Sequence, residues 1–216
     1  MACLRSAASR PCRRSGELRA RRQTGRLCAK TPGEASPLGC SLLGDPVDAA
    51  TESGHVVLQR RPVDLAAFAD EVRERLAGIV PKDRVRVTMP KGLPAVDIDP
   101  QRFERVLVNL VTNGLKYSPP ASAVTIGATS QDGRVVVSVV DEGSGIAAED
   151  LPRIFDKYYR SSEARAQSGL GLGLFIARLL VEAHGGRIWA ESSAGRGTTF
   201  KIALPVAASG PGTSSG

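Results

Sequence analysis

From Leu65 the apolar residues Leu65, Phe68, Val72, Leu76 and Ile79 recur at steps of three and four. That spacing predicts an amphipathic helix, capped by Asp64 and ended before Pro81. Val85, Val87 and Met89 then alternate with polar residues, and Val96 and Ile98 suggest a short second strand. Asp99-Pro100 supplies an N-cap and a first-turn proline for a helix reaching about Tyr117, with Phe103, Val106, Leu107, Leu110 and Val111 as its core face. Strand patterns at Ala123–Ser130 and Arg134–Asp141 flank Gln131-Asp132-Gly133, a hairpin signal. The run Val135–Val140 is apolar at nearly every position and is expected at the centre of a sheet. A short helical stretch is predicted around Leu151–Tyr159, and a third long helix leads from a glycine-rich run to His184-Gly185-Gly186, where His184 is expected near the C-cap. Strands at Arg187–Glu191 and Thr198–Leu204 close the pattern. Three helices over a mixed, mainly antiparallel sheet make an α/β (α+β) two-layer sandwich.

Composition divides the chain. Of 216 residues, 29 are Lys or Arg and 22 Asp or Glu, a net charge of +7. Residues 1–40 hold nine of the basic side chains, two of the acids and all four cysteines, so the remainder is charge-balanced. An evenly basic, nucleic-acid-coating domain is thereby excluded, and no nucleic acid is expected on the folded part. The Arg-, Ser- and Pro-rich 1–40 segment reads as a disordered leader: a transit peptide, a basic tail, or a gene fragment without an evolved role. Its cysteines form no CxxC pair, which argues against zinc. Residues 41–62 read as a linker, 63–205 as the folded domain and 206–216 as a disordered tail. No stretch approaches 18 consecutive apolar residues, so no membrane segment is expected.

Four features carry chemistry. Asn109, Asn113 and Lys116 fall within a sector of roughly 60° on the second helix, where carboxamide oxygens suit a hard cation and nitrogens suit phosphate. Asp141-Glu142-Gly143-Ser144-Gly145-Ile146 follows the apolar strand; a carboxylate there can accept from an exocyclic amine, and the glycines admit a flat ring. Gly169-Leu170-Gly171-Leu172-Gly173 precedes a helix start, where bare amides and the helix dipole favour phosphate. Gly195-Arg196-Gly197-Thr198 is a turn between the last two strands. Singly, each admits a bland reading: a solvated face, a tight turn, a hairpin.

Their conjunction, in this order, strongly resembles the ATP-binding catalytic domain of bacterial sensor histidine kinases, within the ATPase superfamily shared with gyrase, Hsp90 and MutL. Asn109–Pro119 resembles that family's N box, Asp141-x-Gly143-x-Gly145 its first glycine box, Ile154–Arg160 its F box, Gly169–Leu174 its second glycine box and Gly195-x-Gly197-Thr198 the last. The resemblance covers about residues 52–205 and implies a Bergerat-type fold. It implies that Asp141 takes the adenine amine, with Gly143, Gly145 and Ile146 shaping the base pocket and Thr198 its floor. Asn109 and Asn113 would hold Mg²⁺, Lys116 and Arg160 would offset phosphate charge, and amides of Gly171, Leu172 and Gly173 would cradle phosphate. Tyr117, Tyr159, Gly169 and Leu170 complete the expected ATP site, with 156–168 as a lid.

Hydrolytic members of the superfamily carry Glu where this chain has Asn109, and a carboxamide cannot take a proton from water. Phosphoryl transfer is therefore expected over hydrolysis. Gly114 stands where Ala is usual, at a cost of about 1 kcal/mol in helix propensity, and Glu142 where Asn is usual. Neither His55 nor His184 has the context of a phosphoacceptor, so transfer is expected onto a histidine-bearing dimerisation hairpin in trans, with a response regulator downstream, in the bacterial cytoplasm. The competing expectations are an anti-sigma-factor type serine kinase and a nucleotide-binding interaction module without transfer.

Overall fold

A computed structural model describes residues 57–161 and 169–207; the readings of 1–40 as a leader and of 162–168 as part of a lid lie outside them. Strand β1 (Arg61–Val63) leads into helix α1 (Leu65–Leu76), capped by Asp64, whose Oδ1 accepts from the amides of Ala66 and Ala67 at 2.8 and 3.4 Å. α1 stops at Leu76, because the next turn tightens through Ile79 N–H to Leu76 O. Ile79, expected in the core, is thereby turned outward and is 58% exposed.

A 3₁₀ turn (Lys82–Arg84) precedes β2 (Val85–Thr88), followed by β3 (Val96–Ile98), helix α2 (Pro100–Tyr117), β4 (Val124–Gln131) and β5 (Arg134–Asp141). Helix α3 (Gly173–Ala183), β6 (Arg187–Ser192) and β7 (Thr198–Pro205) complete the order. The main sheet runs β2-β4-β5-β7-β6, with β2 parallel to β4 and the other pairs antiparallel. β1 and β3 form a separate antiparallel pair, Val63 opposite Val96. Two boundaries extend past the sequence reading: β1 begins inside the stretch read as linker, and Ala207 N–H reaches Ala95 O at 2.8 Å beyond the expected end of the domain.

The predicted helix around Leu151–Tyr159 is absent. The backbone there makes successive three-residue turns, Arg153 to Asp150, Asp156 to Arg153 and Tyr159 to Asp156, that drive Ile154 and Phe155 into the core. Tyr158 at φ +63° breaks the helical run.

β5 does lie centrally, but its two apolar faces are unequal. Val135, Val137 and Val139 are buried under the helices, whereas Val136 is half-buried and Val140 is 38% exposed on the uncovered face. The core between helices and sheet is built from Phe103, Leu107, Leu110, Ile126, Leu180, Ile202 and Leu204, all essentially inaccessible. Burial of each such side chain contributes about 2 kcal/mol. This clamps α2 and α3 to one face of the sheet.

Candidate active site

α2 sets one wall of the cleft. Its core face buries Phe103, Val106, Leu107, Leu110, Val111 and also Gly114. A Cβ at Gly114 would come within 2.9 Å of a Val124 methyl and 3.2 Å of Asp141 Cβ, so the glycine serves close packing against β4 and β5 as well as lowering helix propensity. The opposite edge of α2 carries Arg105, Asn109, Thr112, Asn113 and Lys116 into a cavity of about 360 Å³. That volume lies in the range of small-ligand sites.

At the base end, Asp141 ends the central strand with its side chain buried. Oδ1 accepts from Gly143 N–H at 2.9 Å and Thr198 N–H at 3.2 Å, while no hydrogen bond to Oδ2 is made among the described residues. Burial raises the carboxyl above its usual range, and those two amides offset part of that rise. The glycine positions follow from crowding: a Cβ at Gly145, where φ is +74°, would lie 2.1 Å from Ser193 O. At Gly197, where φ is +75°, it would lie 2.1 Å from Asp141 O. The β6–β7 turn is thus pressed onto the loop after β5, joined to it by Gly195 N–H to Ser144 O at 2.6 Å.

At the other end, α3 begins at Gly173 with no side-chain cap, so its first-turn amides have no side-chain acceptor. Asn109 meets this turn directly: a Cβ at Gly173 would come within 2.2 Å of Asn109 Oδ1. Asn109 Nδ2 is buried with no hydrogen-bond partner among the described residues. An orphaned buried amide is costly and points to a ligand group that completes it. The Lys116 ammonium lies over the Tyr117 ring, 5.0 Å from its centroid, and close to Gly169, where a Cβ would be 3.5 Å from Nζ. Gly171 accepts at its carbonyl from Tyr158 N–H at 3.1 Å, which ties the turn segment to the glycine loop, and within that segment Tyr159 donates its hydroxyl to Asp150 at 2.5 Å.

Every residue expected at the ATP site lines this cavity except Gly143. Gly143 sits behind Asp141, where a Cβ would clash with Tyr117 O at 2.8 Å; its contribution is the amide that orients the carboxylate. The sequence reading missed Arg105, which lies one turn before Asn109 on the same edge. It also missed Ser192, whose hydroxyl bonds Ile146 N–H at 2.9 Å and Gly197 O at 2.6 Å. The i, i+4 spacing could have found Arg105; nothing local in the sequence marks Ser192. His184 closes α3 as expected and does more: Nδ1 lies 2.6 Å from Leu180 O and Nε2 accepts from Asp99 N–H at 3.0 Å. Its ring is fully buried, and burial lowers its proton affinity.

Known proteins bear on this geometry. The adaptive-response sensory kinase SasA of Synechococcus elongatus is 44% identical over 121 residues, which are 55% of this chain and 31% of that protein. The sensor histidine kinase WalK of Bacillus subtilis is 45% identical over 114 residues, 51% of this chain and 19% of the relative. The chain thus spans a third or less of the length of these relatives. The crystal structure of full-length ShkA in complex with AMPPNP superposes with a TM-score of 0.65 at 28% identity, covering 76% of this chain and 34% of that one. The mycobacterial sensor histidine kinase MprB superposes with a TM-score of 0.57 at 27% identity over 68% of this chain and 97% of that one. Residues 98–208, about half of the chain and the stretch that holds every wall of the cleft, match the family described as histidine kinase-, DNA gyrase B- and HSP90-like ATPase, and this chain belongs to that family.

Proposed function

We propose that this chain is the ATP-binding kinase domain of a two-component sensor histidine kinase, transferring the γ-phosphoryl group of ATP to a histidine. The observation that carries the reading is Asn109, a half-buried side chain on the polar edge of α2 whose Nδ2 is buried and unsatisfied and whose Oδ1 meets the first turn of α3. Asp141 accepts the adenine amine through Oδ2, with Gly145, Ile146 and Thr198 around the base. The triphosphate then runs along α2 toward Asn109, beneath the amides of Gly171, Leu172 and Gly173.

The donor set fits Mg²⁺. Asn109 and Asn113 offer two neutral oxygens on one edge of α2, and among the described residues no three His, Cys, Asp or Glu side chains cluster. Such a pair suits a hard cation that takes its remaining ligands from phosphate and water. Asn109 and Asn113 would hold the ion, which supplies charge neutralisation at the phosphate oxygens. The acceptor imidazole attacks the γ-phosphorus as the bond to the bridging oxygen breaks, and ADP leaves with that electron pair. Lys116 and Arg160 stabilise the charge that develops on the way. Asn109 takes no proton from water, so the cleft favours transfer over hydrolysis.

The acceptor histidine belongs to a helical hairpin that meets the mouth of the cleft, and a response regulator receives the phosphoryl group next, in the bacterial cytoplasm. Among the described residues no helix is long and apolar enough to cross a membrane. The test is incubation with γ-labelled ATP and Mg²⁺, with and without a histidine-bearing hairpin. Acid-labile, base-stable label on the hairpin is expected. Acid-stable label, or no ATP binding, would overturn the reading.

A further inference from the structure

Three contacts converge on Ser192 Oγ, beside the cavity-lining residues Ile146 and Thr198. It accepts from Ile146 N–H at 2.9 Å, donates to Gly197 O at 2.6 Å and lies 3.1 Å from Thr198 Oγ1. A hydroxyl has one proton and two lone pairs. Ile146 N–H can only donate and Gly197 C=O can only accept, so the Ser192 proton is committed to Gly197. The remaining contact must therefore be Thr198 donating to Ser192. Thr198, which lines the cavity, has no second proton, so toward any ligand there its oxygen can only accept.

Thr198 stands opposite Asp141 in the β5–β7 register, and its amide holds Asp141 Oδ1. As a carboxylate, Asp141 Oδ2 also only accepts. The Asp141–Thr198 pair thus offers two acceptors and no side-chain donor. We propose that Ser192 is a specificity-determining positioning residue: by taking the Thr198 proton it makes this pair accept-only, and so favours a purine with an amine at C6 over one with a carbonyl. The inference rests on the reading that the cavity holds a nucleoside triphosphate.

The experiment is calorimetric titration of the full chain with Mg·ATP and with Mg·ITP, its 6-oxo analogue, in the wild type, Ser192→Ala, Thr198→Val and the double variant. The wild type is expected to prefer ATP. Ser192→Ala is expected to narrow that preference about fivefold, the worth of one net hydrogen bond, because the released Thr198 hydroxyl can now donate to a carbonyl. In the Thr198→Val background, removing the serine hydroxyl is expected to leave the ratio where Thr198→Val alone put it. An unchanged ratio in Ser192→Ala, including an equal loss for both nucleotides, overturns the proposal, as does an equally large narrowing on adding Ser192→Ala to Thr198→Val. If Ser192→Ala does not fold, Thr198→Val decides: loss of the acceptor is expected to narrow the ratio, and an unchanged ratio overturns the proposal. Absence of ATP binding to the wild type would overturn the nucleotide reading and this inference with it, a result distinct from a wild type that binds ATP without the predicted ratio changes.

Discussion

Replacing Asp141 by Asn separates the carboxylate's role in ligand recognition from its role in the fold. Oδ1 already accepts two backbone amides, from Gly143 and Thr198, and a carboxamide oxygen can keep both. The NH₂ group then stands where Oδ2 was, and it donates toward a ligand amine that also donates. One charge-assisted hydrogen bond, about 1.5–3 kcal/mol, is lost, so the Kd for Mg·ATP is expected to rise about ten- to a hundredfold. If the carboxamide instead turns its oxygen to the ligand, both backbone bonds are lost and the fold is weakened.

The two outcomes differ in thermal stability. Burial raises the Asp141 carboxyl above its usual range, with its amide partners only partly offsetting this. A raised acid favours the fold while protonated, and that contribution is lost as pH rises through the native value. Asparagine has no charge to bury, so at neutral pH Asp141→Asn is expected to melt at or slightly above the wild type. Calorimetric titration with Mg·ATP gives the affinity and a thermal melt gives the stability. Unchanged affinity at unchanged melting temperature would refute the assignment of Asp141 to the base.

Three further outcomes are expected. Asn109→Ala should lower phosphoryl transfer to an added hairpin about a hundredfold while ATP binding falls less, because the carboxamide acts where charge develops; equal losses in both assays would argue against this. Gly114→Ala should destabilise by about 1 kcal/mol in chemical denaturation despite the better helix propensity, because the new methyl meets Val124 at 2.9 Å in a fully buried site; a more stable variant would sink the packing argument. The buried His184 resists protonation, so the unfolded chain takes up a proton that the fold refuses as pH drops through about 6.5. Thermal melts between about pH 7.5 and 5.5 should therefore show stability falling with pH, with a flatter profile in His184→Gln; parallel profiles would refute the burial effect.

What was legible in the sequence was whatever local chemistry dictates. The Asp64 and Asp99 caps, the apolar steps of α1 and α2, and the glycine turns each follow from backbone requirements within a few residues, and the structure places these elements where the pattern put them. Ile79 and the 151–159 segment were misread because periodicity alone cannot register a tightening last turn or a left-handed residue at Tyr158. The pairing of β1 with β3 and the role of Ser192 were not legible, since Val63 and Val96 are distant in the chain and Ser192 reaches Ile146, 46 residues away, besides Gly197 in its own following turn. The same holds for the accept-only pair, which depends on the direction of one proton between two hydroxyls.

The two helices that carry the cleft are also joined at their far ends, and this bears on how the site keeps its shape. His184 ends α3 and accepts from the amide of Asp99, the residue that caps α2. Asp99 in turn accepts from Arg102 N–H within α2 and from Gln59 N–H in the segment leading into β1. Burial would raise the Asp99 carboxyl, but the amides of Gln59, Arg102 and Gln101 together hold it below its usual range, so it stays charged as an acceptor. Arg60 adds a guanidinium contact to Ala183 O at the end of α3. The incoming chain, the start of α2 and the end of α3 thus meet at one node around the buried Asp99 and His184. The cradle at Gly173 and the Asn109 edge lie further along the same two rigid helices. Rotation of either helix about its axis would strain the His184–Asp99 bond, so the approach of Asn109 to Gly173 is constrained at the far ends of the two helices as well as where they meet.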